Sequence, residues 1–406
     1  MSDLQSETNF DVRVERPASG GGVGRAPDGR VTFVRYSLPG ELVLVEVNET
    51  TSSFYRADAI EVLEASLERV TPPCPYFHVD GCGGCDLQHA SPLAQADWKA
   101  ALVKEHLRRI AGLEWDVTVD ATPDSGQGSR TRLRCGVDED GVLGLRQARS
   151  HQLVAIDDCW IADPVFASAF AHAWPGVEEL ELRAIGEGVA FAVARRKAER
   201  GVHYDLRSLE GAPLDPSTHS RVAVRDHVYR VGPQSFWQSH RDAPEMLVNS
   251  VLEFANAVAG DDVVDLFSGV GLFSVPLAKL VGPGGRVSAV ESSPHAVRDA
   301  RENAEGLRHL KVREWSVSPR SVNDTVREGS IVVLDPPRHG LAKGVAEAIV
   351  RRAPRRVVYV SCDAATFSRD LKDFLRRGFA LSDLRVFDLF PMTEHVELVA
   401  LLDSPA

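Results

Sequence analysis

The chain has 406 residues, of which 44% are hydrophobic and 26% charged, and it carries a net charge of -12. That composition is ordinary for soluble globular domains, and the length implies two or three of them. No apolar run of about eighteen residues is present, so no membrane span is expected. The acidic, polar start MSDLQSETNFDVRVER does not read as a signal peptide, which points to the cytoplasm. The acidic balance counts against a simple nucleic-acid binder. Local basic faces remain available at Arg130, Arg132, Arg134, Arg146 and Arg149, and at Arg351, Arg352, Arg355 and Arg356.

Residues 10–65 read as short strands. Gly20 to Gly24 forms a turn-rich opening, and Val31 to Val34, Leu42 to Val47 and Phe54 to Val62 are apolar or alternating. Several strands in so short a span predict a small closed barrel of the kind often used to hold RNA. Next come Cys74, Cys82 and Cys85, with glycines between them. Cys159 is the natural fourth member of the set. Clustered thiols in a cytosolic chain favour a metal centre over disulfides, and four thiolates suit zinc or an iron–sulfur cluster equally. Residues 92–113 predict an amphipathic helix stopped by Gly112, and 115–235 an antiparallel β-rich region with strands such as Arg130 to Val137, Val142 to Gln147 and Val189 to Arg195.

From residue 245 onward helix and strand alternate, which predicts a parallel sheet. Met246 to Val258 reads as a helix, and the strand from Asp262 enters the turn Phe267-Ser268-Gly269-Val270-Gly271. Glycines there let backbone approach a ligand beside a helix amino terminus. Asp265 precedes the turn. Glu291 ends the next strand, twenty positions after Gly271, where an acid can meet a ribose. The third glycine of a dinucleotide loop is missing, and the looser turn suits S-adenosylmethionine. Three further strands follow. Ile331 to Leu334 stops at Asp335-Pro336-Pro337, Val357 to Val360 stops near Cys362, and Val396 to Leu402 pairs as a hairpin with Leu384 to Phe387 and starts near Glu397. A thiol and two acids beside a methyl donor fit methylation of uracil C5. Cys362 adds to C6, Glu397 takes the C5 proton and Asp335 bonds the pyrimidine edge. The target base must leave its stack, and Phe236 or Trp237 could line the pocket that receives it.

At these residues the chain resembles the bacterial RNA (uracil-C5)-methyltransferase family, over nearly its whole length. The shared elements are a TRAM-like barrel, the four cysteines, SFWQ, DLFSGVGLFSVPLA, DPPRHGL, VYVSCDAATFSRDL and FPMTEHVEL. The resemblance implies a Rossmann-like class I methyltransferase domain at 236–406, a TRAM barrel at 1–66 and a central domain at 67–235. It implies that Cys362 is the nucleophile and Glu397 the proton acceptor. It places Gln238, Phe267, Glu291 and Asp335 around donor and uracil, and Arg130 near the target nucleotide. It also implies a 4Fe-4S cluster on Cys74, Cys82, Cys85 and Cys159. The expected substrate is 23S rRNA, with the transfer-RNA T-loop as the alternative, and the expected state is a monomer. Cytosine-C5 methylation and a catalytically dead RNA-binding protein are the remaining rivals. The sequence departs from the family pattern in the longer spacing between Cys74 and Cys82 and in Leu272 after the glycine turn.

Overall fold

The computed structural model describes residues 9–122, 126–186, 190–198 and 201–405. Residues 1–8 of the expected barrel and Val189 of an expected strand lie outside the described residues.

The amino-terminal strands Asn9–Ala18, Gly21–Arg25, Val31–Arg35, Leu42–Thr50 and Phe54–Glu64 close into a five-stranded barrel. Its alternating valines Val12, Val14, Val34, Val43 and Val45 fill the interior. The glycine-rich opening is itself a strand, not only a turn. Gly22 and Gly24 lie so close to the strand Asn9–Ala18 that a side chain at Gly24 would sit 2.2 Å from the Arg13 carbonyl oxygen. The glycines there serve close strand approach as well as the bend at Gly20.

The central antiparallel sheet has six strands, running in space from Gly201–Ser208 through Phe191–Ala198, Glu179–Arg183, Arg132–Val137 and Leu143–Arg146 to Leu153–Ala155. Cys135 is fully buried in its core.

The carboxy-terminal sheet has eight strands. Five run parallel in the spatial order Leu310–Glu314, Arg286–Glu291, Asp262–Leu266, Ile331–Leu334 and Arg356–Ser361. Glu397–Asp403 follows antiparallel, then Ala380–Phe387. The sequence order reverses at Asp262–Leu266, the switch point where such sheets bind ligands beyond their carboxyl ends. Helices cover both faces, and the strand residues alternate between two cores. Val263, Val333, Val358 and Val360 face one, with Leu247, Val251 and Leu277. Val264, Leu266, Val332, Leu334, Val357 and Tyr359 face the other, with Ile349, Phe367 and Leu371. Burial on both sides explains why these strands are continuous apolar runs.

The helix expected at 246–258 spans Ala243–Ala255, because Asn256 turns into the left-handed region and ends it. The helix Pro92–His106, capped by Ser91, and the short strand Val119–Asp120 fall within the segment 67–235. They nevertheless join the catalytic domain, the strand as the eighth member of its sheet. The second arginine group does not form a free basic face. Arg355 pairs with both carboxylate oxygens of Asp261, Arg356 with Asp403, and Arg352 donates to the Val326 carbonyl. Among the described residues no helix is long and apolar enough to cross a membrane.

Candidate active site

The loops beyond the carboxyl ends of the parallel strands build the first half of the candidate site. The Asp262–Leu266 strand ends in Phe267, whose φ of 66° lies in the left-handed region. The N–H groups of Phe267 and Ser268 both donate to the Val290 carbonyl, which holds this unfavourable turn closed. Gly269 (φ 53°) and Gly271 (φ 92°) follow, and a side chain added at Gly269 would meet open space. The Glu291 carboxylate accepts the Gly269 N–H at 3.0 Å and the Ser292 and Ser293 N–H groups at 2.7 Å each. It therefore ties the glycine turn to the end of the neighbouring strand. Asp265 is fully buried. One oxygen accepts from the Ser274 hydroxyl and the other has no hydrogen-bond partner. Burial, reinforced by the nearby Glu291, pushes its pKa up to about 7. Asp265, Phe267, Ser268, Gly269, Gly271, Glu291 and Asp335 thus gather at one sheet edge.

The second half of the site lies one strand over. Asp335 follows directly on Ile331–Leu334, its N–H donating to the Leu266 carbonyl at 3.3 Å. Arg356–Ser361 pairs with Glu397–Asp403 so that Ser361 faces Leu398. The next step of this register sets Cys362 opposite Glu397. Asp363 then caps the following helix, its carboxylate accepting the Thr366 N–H at 2.8 Å. Cys362 is therefore held at a strand-to-helix elbow between two fixed residues.

The electrostatics of this group are unusual. The Cys362 thiol is pushed up to about 12, first by burial and then by Glu397, while Arg338 pulls it down. Burial and Asp335 hold Glu397 well above the usual carboxyl range, again against Arg338. Asp335 is raised by burial and by Asp265. Three acids in one desolvated place cannot all ionise, so protons are retained and shared. Arg338 was not assigned a role from sequence. Its position directly after Asp335-Pro336-Pro337 was the available signal.

A cleft lies beside Arg338 and faces the barrel. Arg338, His395 and Glu394 line it from the catalytic domain, Arg130 and Arg149 from the central segment, and Arg35 and Gly20 from the barrel. Arg130 also borders a second cavity, lined by Cys74, Cys82, Cys85 and Cys159 with the apolar walls Phe77, Leu133, Leu145 and Ile161. Burial raises Cys82, lifts Cys159 to about 11 and lifts Cys85 to about 12. Among the described residues no group of three or more metal-binding side chains has the geometry of a single-ion site. Gly83 lies against the neighbouring loop, where a side chain would meet the Ala148 nitrogen at 2.3 Å.

The expected aromatic pair is split. Trp237 is buried against Tyr229 in the core. Phe236 is 56% exposed and lies 5.8 Å from the Arg132 guanidinium, so it forms a surface platform and not the wall of an enclosed pocket. Gln238 is buried. The segment Gly232 to Ser235 leading to both is fixed by buried Asp299, which accepts the Gly232 N–H at 2.7 Å and the Ser235 hydroxyl at 2.6 Å.

Three families match the chain. These are tRNA (Uracil-5-)-methyltransferase over residues 322–404, a TRM5/TYW2 methyltransferase domain over 247–327 and the TRAM domain over 8–60. An uncharacterized RNA methyltransferase of Streptomyces avermitilis is 37% identical over 98% of both chains. The 23S rRNA (uracil(1939)-C(5))-methyltransferase RlmD of Halomonas elongata is 33% identical, across 95% of this chain and 87% of that protein. The crystal structure of the tRNA (uracil-54, C5)-methyltransferase of Pyrococcus abyssi, in complex with S-adenosyl-L-homocysteine, aligns over 98% of this chain and 100% of its own. Its TM-score is 0.71 and its identity 25%.

Two predictions follow from the buried acids and the tight loop. As pH rises through the ordinary carboxyl range, the unfolded chain loses its protons before Asp335 does in the folded protein. Folded stability therefore falls over that interval, until the raised folded-state pKa is passed. Asp335→Asn removes this loss. Its stability relative to the parent should grow between about pH 4 and about pH 8, by roughly 1.4 kcal/mol per unit of pKa shift. Urea unfolding at several pH values reads this, and a pH-independent difference overturns it. Gly83→Ala should cost about 1–3 kcal/mol through overpacking against backbone. An unchanged melting temperature would contradict that fit.

Proposed function

The chain belongs to the RNA (uracil-C5)-methyltransferase family, and we propose that its methyl transfer runs through a covalent bond between Cys362 and uracil C6, on a uridine of 23S rRNA. The observation that carries the mechanism is the register that pairs Ser361 with Leu398, which brings the next residues, Cys362 and Glu397, to one sheet edge, with Asp335 and Arg338 acting on both.

S-adenosylmethionine supplies an electrophilic methyl group, and on this reading the residues around Gly269 and Gly271, with Asp265, Glu291 and Gln238, hold it. The target uridine leaves its stack and enters the cleft. Asp335, whose proton affinity burial raises, donates a hydrogen bond to the pyrimidine edge in its protonated form. Cys362 gives up its proton, and its sulfur bonds to C6. The electron pair of the C5–C6 double bond then forms the new bond from C5 to the methyl carbon. Glu397 takes the proton left on C5, the C5–C6 double bond re-forms, and the bond from sulfur to C6 breaks. The net products are 5-methyluridine, the demethylated donor and one proton. Arg338 favours the thiolate and the ionised base when each is needed. Burial around them keeps water from the reactive centre.

Cys74, Cys82, Cys85 and Cys159 are the residues that would hold a 4Fe-4S cluster. Four thiols around one apolar-walled cavity are the donor set such a cluster uses. Iron would keep as thiolates the sulfurs of Cys82, Cys85 and Cys159, which burial alone holds as thiols, and would tie the loop at 74–85 to Cys159.

The ribosomal target rests on the relative named for 23S rRNA, which spans almost the whole chain. A transfer-RNA uridine is the second reading, favoured by the full-length likeness to the archaeal tRNA enzyme. Mapping 5-methyluridine in a deletion strain separates them. Loss from 23S rRNA supports the first, and loss from transfer RNA alone replaces it with the second.

Cys362→Ala should abolish methyl transfer, a loss of at least about 10⁴-fold, while donor binding persists. Glu397→Gln should accumulate a denaturant-stable RNA–protein adduct, because elimination needs the C5 proton removed. Transfer by the alanine variant at the parental rate, or no adduct with the glutamine variant, would overturn the mechanism. Protein purified without air should contain iron and sulfide in equal amounts. Stoichiometric zinc without iron would assign the four cysteines to a different metal.

A further inference from the structure

Glu397 begins its strand, so its placement depends on the loop Asp388 to Val396 that delivers it. That loop has few bonds of its own. Within it Thr393 bonds to the Phe390 carbonyl, through both its N–H and its hydroxyl, and the His395 N–H donates to the Thr393 hydroxyl. Met392, in its middle, has a φ of 65°, a conformation that a bulky residue keeps only when its surroundings impose it.

The surroundings come from elsewhere in the chain. Gln95 and Lys99 lie four residues apart on the helix Pro92–His106, and so on one face of it. Both are buried, Lys99 completely. The Gln95 side-chain oxygen accepts the Met392 N–H at 3.1 Å, and its nitrogen donates to the Met392 sulfur at 3.3 Å and to the Ala90 carbonyl at 3.0 Å. The Lys99 ammonium pairs with the Asp388 carboxylate and donates to the Phe390 carbonyl at 3.1 Å. The Met392 carbonyl accepts the Asp86 and Leu87 N–H groups at 2.8 and 2.9 Å. An ammonium is costly to bury unless its donors are met, and this one is spent on two points of a single loop.

We propose that Gln95 and Lys99 are positioning residues that set Glu397 for removal of the C5 proton, by fixing the strained loop ahead of it. The proposal rests on the reading of Glu397 as the base. It goes further in assigning the timing of product release to a helix that carries none of the reacting groups. Loosening the loop should leave Cys362 and the donor site in place, because their supports are the Arg356–Ser361 strand, Asp363 and Glu291. Addition of the thiol and methyl transfer then proceed, and elimination lags.

The test compares Gln95→Leu, Lys99→Met and the paired Lys99→Met/Asp388→Asn, which leaves no carboxylate buried alone, with Glu397→Gln and the parent. Each is incubated with 23S rRNA transcript and S-adenosylmethionine, and the denaturant-stable adduct and the turnover are both measured. Binding of S-adenosylhomocysteine reports whether the catalytic domain is intact. We expect turnover to fall roughly tenfold to a hundredfold in the loop variants, with KM for RNA nearly unchanged. The adduct should accumulate several-fold above the parent while S-adenosylhomocysteine binding is kept. If Glu397→Gln traps adduct and none of the loop variants does, the positioning role is wrong while the base assignment stands. If Glu397→Gln traps nothing, both fall. If the lysine variants lose S-adenosylhomocysteine binding, Gln95→Leu decides, since it removes no charge.

Discussion

The structure depends on the desolvation of acids at one sheet edge. Cys362 and Asp335 follow strands buried on both faces, and Asp265 and Glu397 lie within such strands, where ionised groups are poorly stabilised. Asp265 raises the proton affinity of Asp335, Asp335 that of Glu397, and Glu397 that of Cys362. Arg338 supplies counter-charge to two of them. A site so arranged stores protons at neutral pH. It can release one from sulfur and accept one from carbon with small changes of environment, which is what addition to a pyrimidine and elimination from it demand.

This arrangement needs a rigid frame, and the frame comes from interlocked segments far apart in sequence. The Asn9–Glu64 barrel touches the catalytic loop through Gly20, whose N–H donates to Glu394 at 2.6 Å. The cysteine-bearing segment touches it through Asp86 and Leu87, and Met392 packs beside Phe77, Cys85 and Ile161 in one small core. The cavity of the four cysteines therefore adjoins the loop that delivers Glu397. The barrel, the cysteine segment and the Arg130–Arg149 stretch surround the cleft that Arg338, Glu394 and His395 also line. RNA held there would meet Arg35, Arg130, Arg149 and Arg338 on a protein whose overall charge is negative. A local basic path on an acidic surface concentrates phosphate binding where the chemistry happens.

The sequence alone determined a good deal. Doubly buried parallel strands must be continuous apolar runs, so Ile331 to Leu334 and Val357 to Val360 were legible. So were the residues at their ends, because a strand of fixed direction fixes which edge its last residue reaches. That carried Asp335, Cys362, the Gly269–Gly271 turn and Glu291. The four cysteines and the β-barrel were visible for similar local reasons. Tertiary structure decided what sequence separation hides. Nothing local showed that Val119–Asp120 and the helix bearing Gln95 and Lys99 belong to the catalytic domain, since their partners Val386, Phe387, Phe390 and Met392 lie much further along the chain. Nor could Phe236 be told from Trp237, because two neighbouring aromatics read alike until packing buries one and exposes the other. The Arg351–Arg356 group looked like a basic face until folding placed Asp261 and Asp403 beside it. Pattern reports the periodicity of one segment against one surface. Pairing between distant segments is set by the closure of the whole chain, and only the folded chain reveals it.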